Sequence, residues 1–211
     1  MSSEYDLVAK IIIIGDSNIG KTALMYQFCE SEFITSYATT IGVDMKSRVI
    51  SLANGEKNGE KNSKLVKFHI WDTAGQERFM SITRSYYGRA EFAIIAFDIT
   101  NLLSFYNVEK WLNEAKNNCK KYNYVLVGLK SDLDSKRKVS FELVNEYAKS
   151  NRMKYFETSS KQYYNVDEIF EHIAITLLEQ KNNRNKSIKK DVFAIEQKNV
   201  PIKNIFCCFF W

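Results

Sequence analysis

The chain has 211 residues, 45% of them apolar, 26% charged and 14% aromatic, stock for one well-buried core rather than two. No apolar run approaches the ~20 residues of a membrane-spanning helix, and the opening MSSEYDLVAK lacks the basic, apolar and cleavage-site series of a secretory signal. The net charge of +5 sits at one end: residues 1–180 hold 23 basic and 23 acidic side chains, and those from Lys181 onward hold seven and two, so the body is a poor candidate for a nucleic-acid surface.

In chain order, LVAKIIII (7–14) predicts a buried strand ended by Gly15, followed by a helix over about 21–31. Strands are expected near 43–52 and 64–71, on either side of the polar ANGEKNGEKNSK, which carries NGEK twice and reads as a slack hairpin loop. FAIIAFDI (92–99) and YVLVGL (124–129) predict two more strands, with helices near 103–120 and 140–150. Val166, Ile169, Phe170, Ile173 and Leu177 recur at spacings of three and four, the buried face of a last helix over 166–177. Strands alternating with helices argue for an α/β fold with a mainly parallel sheet. Beyond about 182, KNNRNKSIKK has no sustained apolar period and reads as a flexible extension. The expected organisation is one domain over 1–180 and a basic tail over 181–211.

Two segments carry phosphate chemistry. Gly15-Asp16-Ser17-Asn18-Ile19-Gly20-Lys21-Thr22 fits G-x-x-x-x-G-K-[ST] between a strand and a helix, the context that the motif requires. Its backbone N–H groups and the helix N-terminus form a positive concavity for phosphate oxygens. Lys21 supplies a point charge to β- and γ-phosphates, and the Thr22 hydroxyl is placed to ligate Mg²⁺. Asn18 stands where glycine is common, and asparagine tolerates positive φ better than most residues. In Trp71-Asp72-Thr73-Ala74-Gly75-Gln76-Glu77-Arg78-Phe79, Asp72 can hold a magnesium-bound water at a strand end. Gly75 can offer its N–H to a γ-phosphate, and Gln76 can orient an attacking water.

WDTAGQERF, together with IGVD (41–44), SYYGRA (85–90) and FDIT (97–100), resembles the Rab branch of the Ras superfamily of small GTPases. The resemblance runs in register over residues 5–180 and resumes at the C-terminus. It implies a P-loop NTPase fold, the small GTPase G domain, with a mainly parallel six-stranded sheet flanked by helices. It also implies a slow hydrolysis of GTP to GDP that an arginine from an activating protein accelerates by about 10³–10⁵-fold. By position Thr40 closes over Mg²⁺ and the γ-phosphate, Phe33 packs edge-on against guanine, and Tyr37 covers the phosphates. The γ-phosphate then holds Thr40 and Gly75 in place, and hydrolysis releases both loops. Effectors are implied to read Ile41, Gly42, Val43, Met45, Trp71 and Tyr86, with Met45 standing where phenylalanine is usual. Met45 admits two readings: a softer surface that alters partner choice, or a conservative swap in a half-exposed strand.

For the base, the resemblance implies an N-K-x-D loop and an S-A-K loop, which read here as Leu129-Lys130-Ser131-Asp132 and Ser159-Ser160-Lys161. The Asp132 carboxylate can accept from N1–H and the 2-amino group of guanine, donors that adenine lacks, and this disfavours an adenine-specific kinase or ATPase. Leu129 cannot hydrogen-bond where asparagine would, so weaker nucleotide affinity and faster release are expected. The alternative function is a Rab-derived scaffold acting mainly by protein binding. Cys207 and Cys208 near the C-terminus resemble a double geranylgeranylation signal, with Val200-Pro201-Ile202 as the segment gripped by the prenylation escort. Two lipid chains and a basic tail would give stable attachment. The further partners implied are an exchange factor, effectors and a GDP-dissociation inhibitor, at the cytoplasmic face of intracellular membranes in exchange with cytosol. Cys29 and Cys119 read as small apolar residues; the four cysteines show neither metal-ligand nor disulfide spacing. Tyr86, Tyr87, Trp111, Tyr163 and Tyr164 read as core or rim packing.

Overall fold

The computed structural model describes residues 4–33, 40, 42–57, 60–73, 75, 86–119 and 123–198. It comprises two compact units, Met1–Ala174 and a second from Ile175 onward. The first unit is built on six strands: β1 (Leu7–Ile14), β2 (Val43–Lys57), β3 (Glu60–Thr73), β4 (Phe92–Asp98), β5 (Tyr124–Leu129) and β6 (Lys154–Thr158). Their order in the sheet is β2-β3-β1-β4-β5-β6. All neighbours run parallel except β2 and β3, in agreement with the expected mainly parallel sheet. Among the described residues the α-helices are α1 (Lys21–Glu30), α2 (Leu102–Tyr106), α3 (Val108–Asn118), α4 (Phe141–Ser150) and α5 (Val166–Lys198).

The sheet is covered on both faces, which is why its central strands lack polar alternation. Every residue of β4 is buried. On one face Ile12, Ile14 and Phe97 pack in a cluster with Phe105, Val108, Trp111 and Leu112 from α2 and α3. On the other, Phe28 of α1 stacks on Phe170 of α5 with ring centroids 3.6 Å apart, and Phe68 of β3 meets both edge-on at 5.6 and 5.7 Å. In β3 Phe68 and Trp71 differ by an odd number of residues, so the pleat sends them to opposite faces.

Three elements differ from expectation. The polar stretch around the NGEK duplication is strand rather than slack loop. β2 and β3 stay paired through Ala53–Ser63, shift register, and pair again at Glu56–Lys61 and Lys57–Glu60. Antiparallel pairing is a backbone bond that needs no apolar alternation, so a hydrophobicity pattern does not register it. The two residues between these strands are Asn58 and Gly59, a dipeptide favoured in two-residue hairpin turns. The helix expected over 103–120 is divided at Asn107 into α2 and α3. Finally, the backbone is helical as far as Lys198, beyond the 166–177 over which the apolar face predicts the last helix. No glycine follows Gly128, and the only proline is Pro201, so neither strong helix breaker interrupts the segment.

Candidate nucleotide-binding site

The loop between β1 and α1 is shaped by backbone strain that its residue types relieve. Gly15 has φ +148°, and a Cβ there would stand 2.3 Å from the Ala96 carbonyl oxygen. Asn18 takes φ 61°, the left-handed conformation expected of an asparagine in a glycine position. Gly20, the N-cap of α1, has φ 110° and makes no side-chain cap, and the first turn of the helix holds no acidic residue. The orphan N–H groups and positive dipole end of α1 are therefore left for an external anion.

Lys21, 5% exposed, donates from Nζ to the carbonyls of Gly15 (2.9 Å) and Asp16 (2.7 Å). Burial lowers its pKa to about 8, against the opposing pull of Asp72 and Asp16. Beside it three oxygen-bearing side chains from separate segments converge. Thr22 Oγ1 donates to Asp72 Oδ2 at 2.5 Å and lies 2.9 Å from Thr40 Oγ1, which donates to the same Oδ2 at 3.4 Å. Asp72 is fully buried and its Oδ1 has no hydrogen-bond partner. Burial pushes its carboxyl above the usual range, opposed by the Thr22 and Thr40 hydroxyls and by Lys21. Two hydroxyls and a buried carboxylate with an orphan oxygen are the donor set of a hard divalent cation, so these residues fit Mg²⁺. Gly75 closes the same wall: a Cβ there would stand 2.4 Å from the Asp16 carbonyl carbon and the Ser17 nitrogen.

A cavity of about 400 Å³ opens beside the loop, lined among others by Phe33, Lys130, Asp132, Leu133, Ser160 and Lys161. Asp132 lies in the 3-10 turn Ser131–Lys136, and its Oδ1 accepts from the buried Ser159 hydroxyl at 2.7 Å. Lys130, at φ 65°, crosses to the phosphate loop and donates to the Asn18 carbonyl at 3.0 Å. Its ammonium is also paired with Asp98 at 2.6 Å, a partner that the motif reading missed. The available signal was a carboxylate closing an otherwise apolar strand, next to the strand that leads into Lys130. Leu129 also lines the cavity and is 1% exposed. Its Cδ1 lies 3.9 Å from where a Cβ on Gly20 would stand, so it bridges toward the phosphate loop by packing alone.

The structure thus brings together Gly15, Asp16, Ser17, Asn18, Ile19, Gly20, Lys21, Thr22, Thr40, Asp72 and Gly75 at one end of the sheet. Phe33, Lys130, Asp132, Ser160 and Lys161 line the adjoining cavity, and Ser159 braces Asp132. Met45 pairs across the strands with Trp71, whose ring lies 5.8 Å from that of Tyr86. Met45 is 54% exposed; Val43 is partly buried against the core beside it, and Gly42 precedes β2 at φ 81°. Tyr37, Ile41, Gln76, Cys207 and Cys208 lie outside the described residues. Cys119 is buried and Cys29 half-buried, and burial raises both thiols to about 11. No cluster of metal-ligating His, Cys, Asp or Glu side chains occurs among the described residues.

A second missed element supports the base loops. Arg137 grips Glu157 with two parallel bonds of 2.8 Å while its Nε donates to Asp134 at 2.7 Å. This ties the turn that bears Asp132 to the strand that leads into Ser159. Burial pushes the Glu157 carboxyl up, but bonds from Arg137 and from Tyr155 outweigh it and hold the group below its ordinary 4.5. Because the folded-state pKa is depressed, the stabilisation is full above the unfolded value and is lost as pH falls through the folded one. Arg137→Ala is expected to destabilise the protein by about 1–3 kcal/mol at pH 7. In urea titrations that gap is full above about pH 4.5 and narrows as pH falls through the depressed folded-state value; a gap that widens on acidification contradicts the assignment.

Comparison with known proteins agrees with this geometry. A match to the Ras family spans residues 10–179. The chain is 37% identical over 205 residues to the Ras-related protein Rab-13 of Rattus norvegicus, covering 94% of this chain and 97% of that one. It is 43% identical over 171 residues to the Ras-related protein RABD2b of Arabidopsis thaliana, covering 81% and 80%. With the GTP-binding protein ypt1 of Schizosaccharomyces pombe it shares 38% identity over 99% of this chain and all of the other. With a phosphate loop, an oxygen cluster and a base cavity at one end of a six-stranded sheet, the chain belongs to the Ras family and, within it, to the Rab-type small GTPases, which hydrolyse GTP to GDP in vesicle traffic.

Proposed function

We propose that GTP binds across the loop and cavity described above, and that the residues carry the following roles. The observation that supports this reading is the convergence of Thr22, Thr40 and Asp72 beside Lys21 at the uncapped start of α1. The phosphate loop backbone receives the β-phosphate, and Lys21 trades its loop carbonyls for β- and γ-oxygens. Thr22 and Thr40 would ligate Mg²⁺ directly and Asp72 through a water; bound there, the ion neutralises charge that develops on the phosphates. Gln76 orients the attacking water, and an activating protein supplies an arginine in trans. Asp132 reads the guanine edge, with Ser159 holding its carboxylate in place. Phe33 and Lys130 flank the base, Ser160 and Lys161 close its far side, and Tyr37 covers the phosphates.

Loss of the γ-phosphate frees Thr40 and Gly75 and reshapes the surface formed by Ile41, Gly42, Val43, Met45, Trp71 and Tyr86. Effectors, an exchange factor and the activating protein read that surface. Geranylgeranyl groups on Cys207 and Cys208 attach the protein to the cytoplasmic face of intracellular membranes. A prenylation escort delivers it there and a GDP-dissociation inhibitor retrieves it. No described helix is long and apolar enough to cross a membrane, and two lipid chains are what a peripheral attachment needs. Domain and tail divide near residue 180.

Single-turnover hydrolysis of radiolabelled GTP tests the central assignment. Lys21→Ala is expected to weaken GTP binding by about 100-fold or more, since a charge-assisted contact is lost at every phosphate that it touches. Binding within threefold of the parent removes Lys21 from the site. Leu129→Asn restores a hydrogen-bonding side chain and should slow GDP release about tenfold, as one added bond of about 1.4 kcal/mol requires. Equal release rates in the two proteins contradict the role given to Leu129. Mass spectrometry of the protein from its native cells should find two geranylgeranyl additions on Cys207 and Cys208, and a double serine variant should leave the membrane fraction; free thiols reverse that assignment.

A further inference from the structure

The second residue of the phosphate loop is a carboxylate, an unpromising group beside a polyanion. In this structure that carboxylate is engaged elsewhere. Asp16 Oδ2 accepts from Asn107 Nδ2, and Asp16 Oδ1 accepts from Trp111 Nε1, both at 2.7 Å. The donors are well anchored. Trp111 is 3% exposed, and Val108 and Leu112 on the same helix are fully buried. Asn107 stands at the break between α2 and α3. Reading Trp111 as packing alone therefore accounts for its ring and leaves out its indole N–H.

The main chain of the same residue meets two parts of the proposed machinery. Its carbonyl oxygen receives Lys21 Nζ at 2.7 Å, and its carbonyl carbon is where a Cβ on Gly75 would collide at 2.4 Å. The position of this one peptide unit therefore sets where the lysine parks and how closely the glycine approaches. A loop residue that carries out such a task must be held by something stiffer than the loop, and a buried helix meets that need. Hydrogen bonds to an ionised acceptor are roughly twice as strong as neutral ones, and two of them fix the carboxylate plane.

We propose that Asp16 is a positioning residue: clamped by Asn107 and Trp111, it holds the phosphate loop in the conformation that presents Lys21 and Gly75 to the nucleotide. The clamp also turns the carboxylate charge toward an amide and an indole. This inference rests on the reading of the loop as the guanine-nucleotide phosphate site.

The test compares release of a fluorescent GDP analogue, in excess Mg²⁺, from the full chain and from Asp16→Ala, Trp111→Phe and the double variant. Trp111→Phe keeps an aromatic ring in the core and removes the N–H donor together with part of the indole, and the loosening that this volume loss causes is what the control below measures. Each single variant is expected to release nucleotide about tenfold faster, and the double variant to match Asp16→Ala within about twofold, because Asp16→Ala already removes the bond that Trp111→Phe removes. Val108→Ala, a fully buried core side chain on the same helix that supplies neither of the two side-chain donors to Asp16, controls for general loosening: its melting temperature should fall while its release rate stays at the parent value. The proposal is overturned if the single variants release at the parent rate, if their effects multiply, or if Val108→Ala accelerates release as much as Trp111→Phe. Should Asp16→Ala fail to fold, Trp111→Phe against Val108→Ala decides the matter alone. A parent chain that takes up no GDP analogue overturns the underlying site reading and the clamp with it. A parent that binds while the variants match it overturns the clamp only.

Discussion

Backbone meets backbone at two glycines, and the rest of the site depends on those contacts. Gly15 lies so close to the Ala96 carbonyl, and Gly75 so close to the peptide joining Asp16 and Ser17, that a single added carbon at either position would overlap main-chain atoms. The first contact seats the phosphate loop on β4, and the second seats the Asp72 strand end on the phosphate loop. Neither can be relieved by turning a side chain. The geometry of Lys21, Thr22 and Asp72 follows, because these residues lie within a few positions of one glycine or the other.

Asp98, Asp16 and Asp72 all lie on or beside the loop after β1, and their partners distinguish them. Asp98 is absorbed by Lys130 and by both donors of Thr100. Asp16 is absorbed by an amide and an indole. Asp72 accepts hydroxyl bonds at one oxygen and none at the other. Two of the acids thus brace the frame, and the third keeps an unpaired acceptor, the one that the proposed site would turn toward a cation. Lys21 is the counterpart: buried, depressed in pKa and parked on carbonyls that are weaker acceptors than phosphate oxygens, it has a reason to move when phosphate arrives.

Much of this was legible in the residues, for identifiable reasons. The strand-glycine-lysine motif sets its own local geometry, and the left-handed Asn18 follows from the side chain alone. Apolar runs in β1, β4 and β5 announce a sheet covered on both faces. The contacts that escaped are those made between distant segments by polar side chains: Trp111 with Asp16, Lys130 with Asp98, Arg137 with Glu157. No spacing rule relates residues 95 positions apart, and an indole that buries its ring and donates its N–H looks in sequence like one that only packs. The helical backbone beyond 182 escaped for the opposite reason. A polar run without apolar period resembles a disordered one, and only the absence of glycine and proline tells them apart.

The sheet order carries a consequence for how the chain acquires its shape. β1 is the first strand made and lies between β3 and β4, so its two partners are synthesised some fifty and eighty residues after it. A nascent chain holds its most apolar strand unpaired until both arrive, while the β2–β3 hairpin closes locally. The loop after β1 waits longer still, because Ala96 on β4 and the donors Asn107 and Trp111 must be in place before Gly15 and Asp16 can settle. The residues that brace the phosphate loop are therefore synthesised some eighty to ninety-five positions after it, although its motif is among the first to be made.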